Sequence, residues 1–102
     1  MQIYFERSGG FAAIRLAVDL DSEDLSVEEA RKLREEIEEA GFFHLPAVIS
    51  APQAAGADRF QYRLRIKDGD REHSLEVNEA GMPDSLRPLI EHLTLLARSR
   101  RG

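Results

Sequence analysis

Between Arg59 and Val77 the chain alternates apolar and polar side chains almost without interruption. Phe60, Tyr62, Leu64 and Ile66 fall on one face, and Arg59, Gln61, Arg63, Arg65 and Lys67 on the other. Asp68-Gly69 breaks the run, after which His73, Leu75 and Val77 alternate with Glu72, Ser74 and Glu76. A period of two on both sides of a turn pair predicts an antiparallel hairpin with one buried face. Gln2 to Arg7 alternates as well, Ser8-Gly9-Gly10-Phe11 interrupts it, and Ile14, Leu16, Val18 and Leu20 resume the pattern. That is a second hairpin, and the glycine pair serves its turn, since a phosphate loop would also need a lysine and a following helix.

The period then changes. Ser26 and Glu29 form a capping box, with Leu25 placed for a staple to Ala30. Val27, Ala30, Leu33, Ile37 and Ala40 recur at threes and fours, and Gly41 supplies the stop. Glu28, Arg31, Lys32, Glu35, Glu36, Glu38 and Glu39 cover the rest of this helix, with no inward histidine or carboxylate companion in the pattern. Near the C-terminus Asp84 is the expected cap, Pro88 falls in the first turn, and Leu86, Leu89, Ile90, Leu93, Leu96 and Ala97 form a second stripe that ends near Ser99. The order is strand-strand-helix twice over. The expectation is an α+β domain, a four-stranded antiparallel sheet with two helices packed on one face, spanning residues 1–102 as a single unit.

One segment has no period. Ala47 to Ala57 contains Pro52, Gly56 and five alanines, with Val48 and Ile49 its only sizeable apolar side chains. Connections this long inside a small domain are either functional or loose.

Composition narrows the chemistry. The chain has no cysteine, which removes disulfides, thiolate metal sites and cysteine nucleophiles together. Its net charge of −5 disfavours nucleic acid as a partner. Ten acidic and three basic residues fall between Asp19 and Ala40, while Arg98, Arg100 and Arg101 close the chain. The bland reading of both is solvated surface; the sharper one is steering toward a basic partner. No apolar run is long enough to span a bilayer and no signal peptide opens the sequence, so a cytoplasmic protein is expected, with export by a signal-independent route as the alternative. His44, His73 and His92 lack metal-ligand spacing, and the serines lack a nucleophile elbow. No enzyme, no cofactor and no metal is expected.

The runs Ile3–Leu16, Ala57–Leu64 and Leu86–Leu93 resemble the emfourin family, most distinctively in Phe5-Glu6-Arg7-Ser8-Gly9-Gly10-Phe11 and Asp58-Arg59-Phe60-Gln61-Tyr62. The family consists of small bacterial and archaeal proteins associated with protealysin and other thermolysin-like zinc metallopeptidases. The resemblance implies a proteinaceous inhibitor whose partner supplies the zinc. Such peptidases favour a large apolar residue after the scissile bond, so an exposed apolar side chain on a loop is the expected plug. Val48 and Ile49 are the leading candidates, with Phe11 second. The alternative is a protein–protein interaction module without inhibitory activity, and the oligomeric state is left open.

Overall fold

The structure, a computed structural model, describes residues 1–10, 15–52 and 60–100. Five strands and two α-helices follow the chain as β1 (Gln2–Gly9), β2 (Leu16–Asp21), α1 (Val27–Ala40), β3 (Val48–Ile49), β4 (Phe60–Asp68), β5 (Arg71–Asn78) and α2 (Arg87–Ser99). The sheet order is β2-β1-β4-β5-β3. Both anticipated hairpins form, and they join through their first strands: β1 pairs antiparallel with β2 on one side and with β4 on the other. The three longest strands, β1, β4 and β5, lie inside the sheet, where both edges of each strand find partners.

The expected four-stranded antiparallel sheet is corrected to a five-stranded mixed one. Val48 and Ile49 lie parallel to β5, opposite Glu76 and Val77, and the Ala47 carbonyl accepts the Glu76 N–H at 2.8 Å. Two residues carry no readable period, so this strand exists because its flanks are held against β5. The second turn also shifts by one residue. Asp68 pairs with Arg71 and ends β4, leaving Gly69-Asp70 as the two-residue loop, with Gly69 at φ 62°.

One face of the sheet is buried beneath the helices. Ile3 and Phe5 of β1, Leu16, Val18 and Leu20 of β2, Tyr62, Leu64 and Ile66 of β4 and Leu75 and Val77 of β5 meet Leu33 and Ile37 of α1 and Leu89, Leu93 and Leu96 of α2 in one core. Ser26 caps α1 as expected, its hydroxyl accepting the Glu29 N–H at 3.1 Å, and Gly41 ends the helix in the left-handed region. Val27 is an exception to the anticipated stripe, at 86% exposed. At 3.6 residues per turn it lies about 100° round from the centre of the Ala30–Ala40 stripe and so faces water. The α2 cap is corrected too. Leu86, not Asp84, precedes the first helical residue, no side chain caps it, and the Asp84 carbonyl closes the preceding turn by accepting from Arg87 N–H. Pro88 sits in the first turn, where its missing N–H is harmless.

A further correction concerns the carboxylates of α1. Glu36 is turned inward against α2, where His92 Nδ1 donates to Glu36 Oε1 at 2.7 Å, and Glu29 Oε1 lies 3.7 Å from His92 Nε2. Each helix reads as outward-facing at these positions when taken alone. Side-by-side packing brings the flanks together.

Candidate functional site at the β3 edge

The two apolar residues of β3 part company, as successive residues of a strand must. Ile49 turns inward, half-buried, and packs on the core, whereas Val48 lies on the open face and is 63% exposed. Exposed large apolar side chains are few among the described residues: Val27, Val48 and Leu95. Val48 differs from the other two in sitting on a sheet edge, backed by β5 and β4. Phe11, the other candidate, lies outside the described residues.

The open face beside Val48 is polar but internally paired. Arg63 meets Glu76 at 2.8 Å, Arg65 meets Glu72 at 3.0 Å, and Arg15 donates to both Tyr4 Oη (2.9 Å) and Glu6 (3.2 Å). A groove of about 560 Å³ runs from Ala47 and Val48 over Ser74 and Glu76 to Tyr4, Arg63 and Arg65. With its guanidinium groups already bound to carboxylates, this face offers a guest apolar contact at the Val48 lip more than an unpaired charge. Such surface pairs stabilise the fold little, because water screens them.

What holds β3 in place is a residue that periodicity does not mark. Asn78, at the end of β5, is only 7% exposed. Its Oδ1 accepts from Ala51 N–H at 3.1 Å and from Gly81 N–H at 2.9 Å, and its Nδ2 donates to the Ala51 carbonyl at 2.7 Å. Gly81 allows the approach: a Cβ there would stand 2.9 Å from Asn78 Oδ1, 3.0 Å from Ala51 N and 3.1 Å from the Ser50 carbonyl carbon. The signal for this clamp in the sequence is the spacing Asn78-Glu79-Ala80-Gly81, an asparagine turning the chain through a side-chain hydrogen bond. Above it, His73 Nε2 lies 2.8 Å from the Leu45 carbonyl, and the Phe42 ring meets the His73 ring edge-on at 5.2 Å. The segment entering β3 is thus tied to β5 as well, which gives His73 the sheet role its alternation implied.

Among the described residues no group of three His, Asp or Glu side chains is arranged to hold an ion. Two titratable groups with shifted values lie away from this edge, Tyr62 and Asp68. Burial raises the Tyr62 phenol, and neighbouring Glu79 adds to the effect against Arg7 and Arg87. Asp68 moves the other way: desolvation would raise it, but hydrogen bonds and charge from Arg71 and Arg34 outweigh that and hold it below its ordinary value. Neither belongs to a proton-transfer constellation. Among the described residues, no helix is long and apolar enough to cross a membrane.

The profile of one protein family, Emfourin, matches residues 5–94. No curated protein and no solved structure matches the chain significantly.

Proposed function

The chain belongs to the emfourin family, and from that membership, which implies metallopeptidase inhibition in general terms, we propose that it blocks a thermolysin-like zinc peptidase of the protealysin type with its β3 edge. The observation that carries this reading is Val48: an apolar side chain, 63% exposed, on a strand whose backbone is already ordered. An inserted side chain gains affinity when little freedom is lost on binding, and β5 has removed most of that freedom beforehand. In this mechanism Val48 enters the apolar pocket beside the peptidase's metal, and the sheet behind it excludes water and substrate. Ile49 supports the edge from beneath by packing on the core. A footprint of about 800 Å² per partner is typical of peptidase inhibitors and lies within reach of a domain this size.

The zinc is the partner's, and this chain performs no turnover. The test adds the purified protein to a panel of thermolysin-like peptidases, including any encoded beside it, and follows peptide cleavage. Stoichiometric loss of cleavage is expected for at least one. A panel indifferent to molar excess would end the proposal.

A further inference from the structure

The geometry points to Asn78 and Gly81 as positioning residues for inhibition: they preorganise the Val48 edge through Ala51 without touching the peptidase themselves. This rests on the reading of Val48 as the inserted side chain. A two-residue strand makes too few ladder bonds to fix its own place. The missing constraint comes three residues after Val48, where the Asn78 carboxamide satisfies both the N–H and the carbonyl of Ala51. The same oxygen also takes the Gly81 N–H, so one buried side chain locks the exit of β3 to the turn after β5. A carboxamide suits this position because it offers donor and acceptor on one planar group, and Ala51 presents one of each. Gly81 is the counterpart, since any side chain there would displace Ala51 or Asn78.

Release of the clamp leaves Val48 in place on average but lets the edge wander, so its ordering cost falls on the binding step. Asn78→Ala is therefore expected to raise the inhibition constant roughly tenfold, the equivalent of about 1.4 kcal/mol. Gly81→Ala should do the same, because the new Cβ pushes against Asn78 Oδ1, Ala51 N and the Ser50 carbonyl carbon. The double variant should be less than additive, since removing the carboxamide clears part of the clash. A merely destabilising role predicts none of this at temperatures well below unfolding. Leu20→Ala, a core truncation on β2 at the opposite edge, serves as the control: it should lower the melting temperature while leaving inhibition intact.

The experiment uses the full chain against whichever peptidase it inhibits, with amide exchange of Ala51 read in parallel. Faster Ala51 exchange together with weaker inhibition in Asn78→Ala, and unchanged inhibition in Leu20→Ala, supports the assignment. Unaltered inhibition in Asn78→Ala while Val48→Ser has lost it overturns the clamp and spares the reading of Val48. Unaltered inhibition in a folded Val48→Ser overturns that reading and the clamp with it.

Discussion

His92 of α2 donates from Nδ1 to Glu36 of α1 at 2.7 Å, and both side chains are nearly withdrawn from water. A carboxylate in that setting depends on its partner, because a buried acceptor left without a donor bears its desolvation cost uncompensated. His92→Ala should therefore destabilise the domain by about 1–3 kcal/mol, the range for a buried polar group left without its partner. Urea unfolding checks it. Glu36→Gln, which keeps an acceptor oxygen for His92, should cost less than His92→Ala. Equal losses would show that only packing is at stake.

Val48 and Ile49 should separate cleanly under single substitution. Val48→Ser removes an exposed side chain and should change stability by no more than about 0.5 kcal/mol, as is usual for the surface, while inhibition falls. Ile49→Ser should lower stability measurably by taking an apolar side chain from the core and placing a hydroxyl there. Inhibition kinetics and thermal unfolding on the two variants check the division.

Tyr62 predicts an alkaline limb. Its phenol is held above its ordinary value by burial, so the folded chain keeps the proton where the unfolded chain gives it up. The contribution is complete below the unfolded value of about 10 and is lost as the pH rises through the folded one. Stability measured from pH 9 to 11.5 should fall, and Tyr62→Phe should flatten that fall. An identical slope in both proteins would place the effect elsewhere.

Asp68 predicts an acidic limb of opposite sign. Its carboxyl is held low by Arg71 and Arg34 against the pull of desolvation. The stabilisation is present above the unfolded value of about 3.9 and disappears as the pH falls through the folded one. Asp68→Asn should be less stable than the parent at neutral pH and should converge with it once the pH has fallen below the folded value. Unfolding midpoints along the titration check both ends. The effect should be modest, because Arg34 and Arg71 are about half exposed.

The alternation of β1, β2, β4 and β5 and the 3.6-residue recurrence in α1 and α2 were legible because burial on one face imposes a period, and a period survives in the sequence whatever lies opposite. Ser26, Gly41 and Pro88 were legible for the same reason: caps and stops answer to the backbone of their own helix. The family was legible from runs of residue types. Tertiary structure alone decided the rest. It placed β3 parallel to β5, since two residues have no period and only their anchors give them a place. It turned Ile49 inward and left Val48 out, because a strand's faces are defined only once it pairs. It brought His92 to Glu36, 56 positions apart, and folded Asn78 over Ala51 beside a glycine too crowded for any side chain. Each is a contact between segments distant along the chain, and its energy depends on a geometry that no local window of sequence contains.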